Sequence, residues 1–127
     1  MKKRIHTEKA PGAIGPYSQA IRVGDLVYTS GQLGIDPATG KLAEGVERQA
    51  ECALNNLREV LRAAGASLDS VVKTTVFVAD MKDFAVVNAV YASYFNEEAG
   101  YPGRSCVQVA GLPLGGLVEI ECVALCR

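Results

Sequence analysis

Residues 118–125, Val118-Glu119-Ile120-Glu121-Cys122-Val123-Ala124-Leu125, form the stretch of sequence that decides the fold. Successive side chains of a β-strand point to opposite faces of its sheet. One face of this strand therefore carries only apolar side chains, and the other mixes Glu119 and Glu121 with further apolar side chains. A sheet that is apolar on both faces needs a cover on each. We expect helices on one face and another copy of the chain on the other.

Two helices are predicted upstream of this strand. Apolar residues recur at helical spacing over 46–64, and Gly65 supplies a C-terminal stop. Asp80 is a candidate N-cap for a second helix. The apolar stripe of that helix consists of Phe84, Val87, Tyr91, Tyr94 and Phe95.

The other patterned runs are predicted strands. Segments 26–30 and 71–79 are rich in β-branched and aromatic residues, and 104–109 and 117–125 follow near the C-terminus. The resulting order is strands, helix, strand, helix, strands. It predicts a single α+β domain over residues 1–127, with two helices on one face of a mixed sheet.

Composition and charge exclude several classes of protein. The chain has 127 residues, of which 49% are hydrophobic and 21% charged, so it is globular rather than disordered. A net charge of −1 gives no overall field that would draw it to nucleic acid or an anionic membrane. We interpret the basic cluster Lys2-Lys3-Arg4 as a solvated terminal segment. Without a membrane-length apolar run or a secretory segment, a cytoplasmic protein is expected.

The cysteines and the histidine limit the chemistry further. The four cysteines lack CxxC spacing and the sequence shows no secretory context, so reduced thiols are predicted. His6 is the only histidine. A metal site with several histidines is therefore excluded.

Arg104 is the first candidate functional residue. It stands where the segment Tyr101-Pro102-Gly103 enters a predicted strand, so the backbone should orient its side chain. A guanidinium can bind a carboxylate through two parallel hydrogen bonds. The alternatives are a surface arginine or an ion pair with Glu119 or Glu121.

Glu119 is the second candidate. Its apolar neighbours suggest partial burial, which raises the pKa of a carboxyl group unless a cation opposes it. Such a glutamate can hold a water molecule and move its proton. The alternative is a glutamate on the sheet surface, and the pattern does not decide whether Glu119 or Glu121 faces a pocket. Together, Arg104 and Glu119 suggest a site where a small carboxylate gains or loses water.

Four further residues have two interpretations each. Asn88 lies in an apolar stripe and either bonds a neighbouring backbone group or contacts a ligand. Gly31, after Ser30, permits a β-bulge or a close approach to a ligand. Tyr17 closes a pocket or packs as a loop anchor. Cys106 is interpreted as a small buried hydrophobic residue rather than a nucleophile, because no histidine is near it in sequence.

Six segments together resemble the reactive intermediate (imine/enamine) deaminase family, known as the Rid family. They span nearly the whole chain in the order of the family. The segments are AIGPYSQA (13–20), TSGQ (29–32), VKTTVFV (72–78), FAVVN (84–88), PGRSCV (102–107) and VEIE (118–121). The block around Arg104 is the most discriminating of the six.

The resemblance implies a chorismate-mutase-like α+β fold, assembled as a homotrimer with ligand sites in the clefts between subunits. It implies a 2-iminobutanoate/2-iminopropanoate deaminase that hydrolyses 2-imino acids, in exchange with enamines such as 2-aminoacrylate, to 2-keto acids and ammonia. No cofactor and no metal are expected. Pyridoxal-phosphate enzymes such as serine and threonine dehydratases would release these substrates.

The resemblance also implies roles for individual residues. Arg104 would clamp the substrate carboxylate, and Glu119 would orient the attacking water. The pocket would be lined by Tyr17, Ser30, Gly31, Asn88 and Cys106. The sequence departs from the family at Gln108, Leu114, Cys122 and Cys126, which puts the substrate preference in doubt more than the activity.

Two other classes of function are open. The same Arg104 pocket would suit a non-catalytic protein that binds small carboxylates such as 2-keto acids and regulates a partner. An activity on RNA is the third class, but the sequence offers no basic surface interleaved with aromatic residues to support it.

Overall fold

One mixed sheet and two helices account for most of the chain, and a computed structural model describes residues 1–126. The elements in chain order are β1 (Lys2–Ile5), β2 (Ala20–Val23), β3 (Leu26–Thr29), β4 (Gln32–Leu33), β5 (Ile35–Asp36), β6 (Lys41–Leu42), α1 (Gly45–Ala64), β7 (Val71–Val78), α2 (Phe84–Tyr94), β8 (Gly103–Gln108) and β9 (Val118–Leu125).

The main sheet has the strand order β1-β2-β3-β9-β7-β8, and β4 also pairs with β9. Neighbouring strands of this sheet are antiparallel, except for β7 and β8, which are parallel and are connected through α2. Strands β5 and β6 form a separate hairpin. The prediction of a mixed sheet with two helices is confirmed.

Helix α1 forms because its apolar residues lie on one face, and that face is buried against the sheet. The helix ends at Gly65, which adopts a left-handed conformation with φ of 84°. The Gly65 N–H donates a hydrogen bond to the Arg62 carbonyl, so one of the otherwise unpaired backbone carbonyls at the helix end is satisfied. The stop predicted at Gly65 is therefore confirmed.

Helix α2 begins later than Asp80 alone suggests. The Asp80 carboxylate accepts a 2.9 Å bond from the Lys82 N–H and caps a short 3₁₀ turn over Met81–Asp83. The α-helix then starts at Phe84. The physical reason is that an aspartate readily closes a turn with the backbone two residues on.

The basic cluster near the N-terminus is part of the sheet, which corrects the interpretation as a merely solvated segment. Lys2, Lys3 and Arg4 lie in β1, which pairs antiparallel with β2 at the sheet edge. Their side chains remain exposed. Charged residues on an edge strand discourage unwanted pairing with another sheet.

The two faces of the sheet differ in cover. The residues of β9 that alternate from Val118 to Ala124 are buried on the face toward the helices. On the other face, Tyr28, Val107 and Leu125 are 48%, 44% and 43% exposed. The apolar second face predicted from the sequence is thus present and uncovered within one chain. Neither helix of the described residues has the length and apolarity needed to cross a membrane.

Candidate active site

Arg104 lies in β8 and faces the helices. It is in register with Thr74 of β7, whose side chain is fully buried under them. The Arg104 Nη1 donates a 2.7 Å hydrogen bond to the Asn88 Oδ1. The guanidinium carbon lies 4.9 Å from the ring centroid of Tyr91 and 5.5 Å from that of Phe84. Three residues of α2 therefore hold the guanidinium in place.

The aromatic platform under Arg104 is itself anchored. The Tyr91 hydroxyl and the Thr74 Oγ1 form a buried hydrogen bond of 2.7 Å. Tyr91 also packs against Phe95, with ring centroids 4.6 Å apart. The position of the Tyr91 ring is thus fixed from the sheet and from the end of α2.

The charge of Arg104 is not neutralised by a carboxylate within residues 1–126, because each ion pair found there involves other cations. The alternative of an ion pair with Glu119 or Glu121 is therefore wrong within one chain. Asn88 bonds the Arg104 side chain rather than the backbone group that one interpretation expected. An open cavity of about 430 Å³ beside Arg104 is bordered by Tyr101 and Pro102. A carboxylate can enter there and meet the guanidinium.

Glu119 lies on the opposite face of the sheet. It pairs with Phe77 of β7 and with Leu33 of β4. Burial raises the pKa of the Glu119 carboxyl above its ordinary value, and the negative charge of Glu121 raises it further. A carboxylate with a raised pKa accepts a proton more readily than an ordinary glutamate, which suits a group that activates water.

Gly31 makes room for the Glu119 carboxyl group. A Cβ atom built on Gly31 would lie 2.7 Å from the Glu119 Cδ and 3.0 Å from its Oε1. No side chain fits at that distance without moving the glutamate. The close approach at Gly31 is therefore to the Glu119 side chain, which neither interpretation of Gly31, a β-bulge or contact with a ligand, had predicted.

A chamber of about 640 Å³ adjoins Glu119, and Tyr17, Ser30 and Gly31 also line it. The Ser30 Oγ donates a 2.6 Å bond to the Ser18 carbonyl, which fixes the loop that carries Tyr17. Tyr17 is 52% exposed, so it borders the chamber rather than packing inside the protein as an anchor.

The structure separates the predicted site residues into two groups. Arg104 and Cys106 lie toward the helices, because they are in register with the buried residues Thr74 and Val76 of β7. Asn88 belongs to α2 and bonds Arg104 there. Tyr17, Ser30, Gly31 and Glu119 line the separate chamber, and Glu119 lies on the other face of the sheet. The two groups do not form one pocket within a single chain.

Cys106 behaves as the sequence suggests. It is partly buried and packs against the core. Burial raises the pKa of its thiol, although Arg104 acts in the opposite direction. A protonated thiol is a poor nucleophile. Cys106 and the other three cysteines are free, and residues 1–126 contain no cluster of three or more histidine, cysteine or acidic side chains that could hold a metal ion.

Sequence reasoning missed the aromatic platform. Phe84 and Tyr91 were expected only as core residues of α2, yet both rings lie under the Arg104 guanidinium. The signal was the spacing of Phe84, Asn88 and Tyr91, which places all three on one side of a helix. What the pattern did not contain was the parallel register that brings Arg104 beside them.

Comparison with known proteins gives the family. A family model described as endoribonuclease L-PSP matches residues 7–126. The 2-iminobutanoate/2-iminopropanoate deaminase of Salmonella typhimurium is 51% identical over 128 residues, which cover 100% of both chains.

Two solved structures agree closely with the fold. RidA from the Antarctic bacterium Psychrobacter sp. PAMC 21119 matches with a TM-score of 0.93 and 50% identity, covering 97% of this chain and 98% of that one. TdcF of E. coli with bound serine matches with a TM-score of 0.94 and 47% identity, covering 98% and 99%. The chain therefore belongs to the endoribonuclease L-PSP family and, within it, to the reactive intermediate deaminases that its six segments resemble.

Proposed function

We propose that this protein is a 2-iminobutanoate/2-iminopropanoate deaminase, which hydrolyses reactive 2-imino acids and their enamine tautomers to 2-keto acids and ammonia. The observation that carries the proposal is the Arg104 guanidinium, which Asn88, Phe84 and Tyr91 hold in place while no carboxylate of residues 1–126 pairs with it. A full-length relative at 51% identity bears the name of this activity.

Arg104 binds the substrate carboxylate in this proposal, and Glu119 handles the water. Water adds its oxygen to the C=N carbon and gives a proton to the Glu119 carboxylate. Glu119 returns that proton to the nitrogen, which gives a neutral carbinolamine. Glu119 then removes the hydroxyl proton and passes it to the nitrogen as the C–N bond breaks, so ammonia leaves and the hydroxyl oxygen becomes the keto oxygen. Burial and the charge of Glu121 raise the pKa of Glu119, which makes its carboxylate a stronger base for these transfers than an ordinary glutamate.

The complete site takes Arg104 from one copy of the chain and Glu119 from another. Within one chain these residues lie on opposite faces of the sheet. The uncovered face carries exposed apolar side chains, including Tyr28, Val107 and Leu125, which an assembly would bury. We propose a homotrimer with its ligand sites in the clefts between subunits.

No cofactor takes part in the proposed reaction, since hydrolysis of an imine needs only water and proton transfer. The substrates are those that pyridoxal-phosphate enzymes such as serine and threonine dehydratases release. A cytoplasmic location would place the protein beside those enzymes.

The test follows loss of the imine that an amino-acid oxidase generates from alanine or 2-aminobutanoate. Wild-type protein should accelerate hydrolysis. Arg104→Ala should lower kcat/KM by about 100-fold, because two charge-assisted hydrogen bonds to the carboxylate are lost. Arg48→Ala is the matched control, since Arg48 is an exposed arginine whose ion pair with Glu51 spans 3.7 Å.

Full activity of Arg104→Ala would remove Arg104 from the mechanism. If wild type accelerates hydrolysis of none of several imines, calorimetry with 2-keto acids should follow. Binding without turnover would support the carboxylate-binding regulator instead.

A further inference from the structure

The pairing along β9 is interrupted beside the candidate site. Strand β3 pairs with β9 as far as Tyr28, which is opposite Val123, and pairing resumes in β4 with Gln32 opposite Ile120. One side of the interruption therefore has three residues, 29–31, and the side of β9 has only two. One extra residue on one strand is the arrangement of a β-bulge, which lifts a short piece of backbone away from regular pairing.

The Thr29 hydroxyl fills this interruption. Its Oγ1 accepts a 3.0 Å hydrogen bond from the Cys122 N–H, and the hydroxyl donates to the Cys122 Sγ at 3.9 Å. Cys122 is only 4% exposed, so its N–H would be buried and unpaired without this bond. A side chain thus does here what a backbone carbonyl does elsewhere in the sheet.

The same short segment is also held from its other side. The Ser30 N–H donates a 2.9 Å hydrogen bond to the Gln19 carbonyl. The Ser30 Oγ donates a 2.6 Å bond to the Ser18 carbonyl. Thr29 therefore fixes the segment to β9, and Ser30 fixes it to the loop that carries Tyr17.

Gly31, the last residue of the segment, packs directly on the Glu119 carboxyl group. A Cβ atom at Gly31 would lie only 2.7 Å from the Glu119 Cδ, so the Gly31 backbone forms one wall around that group. The place of this wall decides how the carboxylate is oriented and how much water reaches it. Gly31 is two residues from Thr29, so the wall depends on the bond that Thr29 makes.

We propose that Thr29 is a positioning residue for Glu119. Its hydroxyl holds residues 29–31 against β9, so that Gly31 keeps the Glu119 carboxylate oriented to activate water. The effect on catalysis rests on the proposed function. The chain of contacts from Thr29 through Gly31 to Glu119 lies within one copy of the protein, so it exists whatever the assembly.

The kinetic test uses two substitutions at one position. Thr29→Val replaces the Oγ1 by a methyl group of similar size, and Thr29→Ser keeps the oxygen. Thr29→Val should lower kcat about tenfold, because the base is misplaced. KM should change by less than about twofold, since Arg104 of another copy binds the substrate carboxylate. Thr29→Ser should restore kcat to within about twofold of wild type.

Thr39→Val is the matched control. The Thr39 hydroxyl also accepts a backbone N–H, that of Lys41 at 3.2 Å, but it lies in the turn between β5 and β6. Thr39→Val should keep the kcat of wild type. Wild-type kcat in Thr29→Val, an equal loss of kcat in Thr29→Ser, or a change in KM alone would overturn the proposal.

Titration of the Glu119 carboxyl group by ¹³C NMR, assigned with Glu119→Gln, tests the positioning without any turnover. Burial is the first cause of the raised Glu119 pKa. When Gly31 moves away, water reaches the carboxyl group, so its pKa should fall in Thr29→Val. In Thr29→Ser the pKa should equal that of wild type.

Other charges do not account for such a change, because neither substitution alters them. Among residues 1–126, the ionisable groups near Glu119 are Glu121 of the same strand and Tyr17 across the chamber, and Lys73 is the charged residue of β7. Strand β4 contributes none. In the proposed assembly, Arg104 of another copy also faces Glu119.

The titration distinguishes failure of this inference from failure of the deaminase proposal. If wild type accelerates no imine, a lower Glu119 pKa in Thr29→Val alone still supports the positioning role. An unchanged pKa in Thr29→Val overturns it, whatever the kinetics. If Thr29→Val does not fold, Thr29→Ala removes the same oxygen and is judged by the same readouts. If neither folds, the hydroxyl is required by the sheet rather than by the site, and the proposal is wrong.

Discussion

Arg104 is held by neutral groups, and this decides what its guanidinium can still bind. The amide of Asn88 and the rings of Phe84 and Tyr91 orient it without cancelling its charge. A carboxylate in their place would orient the side chain equally well but would compete with the substrate. The guanidinium therefore stays available for an anionic ligand.

At the same scale, Glu121 should tune the pH dependence of Glu119. Burial is the first cause of the raised Glu119 pKa, and the Glu121 charge is the second. The base must be ionised, so activity should fall as the pH drops through this raised pKa. Glu121→Gln removes the repulsion, and the acidic limb of the kcat/KM profile should move to lower pH.

The profile of Glu121→Gln is best compared with that of Glu51→Gln, a change on the exposed side of α1. The acidic limb of the kcat/KM profile of Glu51→Gln should coincide with that of wild type. A limb that stays in place or moves to higher pH in Glu121→Gln would show that Glu119 is not the group that titrates.

Between elements, α2 is fixed to β7 by the hydrogen bond between Tyr91 and Thr74. Tyr91→Phe leaves the buried Thr74 hydroxyl without its partner, which should cost about 1–3 kcal/mol of unfolding free energy. Thr74→Val should cost a similar amount. The double variant replaces both polar groups by apolar ones of the same shape, so it should lose less than the sum of the two.

Urea unfolding of wild type, the two single variants and the double variant measures the coupling free energy between Tyr91 and Thr74. Strictly additive losses would mean that the bond does not join α2 to the sheet. The Arg104 guanidinium lies over the Tyr91 ring. The KM of the same three variants and wild type can therefore also be measured, to test whether the bond between Tyr91 and Thr74 affects substrate binding.

For the whole molecule, the opposite placement of Arg104 and Glu119 predicts complementation. Arg104→Ala and Glu119→Gln should each retain only a small residual activity alone. When the two chains are refolded together, a site that takes Arg104 from one copy and Glu119 from the other is intact in about a quarter of random pairings. The mixture should recover activity up to about that fraction of wild type.

Two controls make the complementation decisive. The variants mixed without refolding should keep only this residual activity for as long as their subunits do not exchange. No recovery after refolding into a wild-type-like oligomer would show that a site does not draw these two residues from different copies.

The sequence by itself determined the two helices, the strands β3, β7, β8 and β9, and the chemistry of the key side chains. The period of the apolar residues predicted α1, α2, β7 and β9, since a helix repeats every 3.6 residues and a strand every two. The alternation of side chains along residues 118–125 predicted that both faces of the sheet carry apolar residues. The sequence context of Arg104 and Glu119 made them candidates, and the resemblance of the six segments to the family implied their roles.

Only the tertiary structure decided how these parts are combined. The parallel register of β8 on β7 places Arg104 over Tyr91, and the pairing of β9 places Glu119 on the other face. β1 became a strand because β2 offered it a partner, and Gly31 is required because Glu119 packs against it. Register and strand order depend on contacts between residues distant in sequence, and a local pattern of residues carries no record of them.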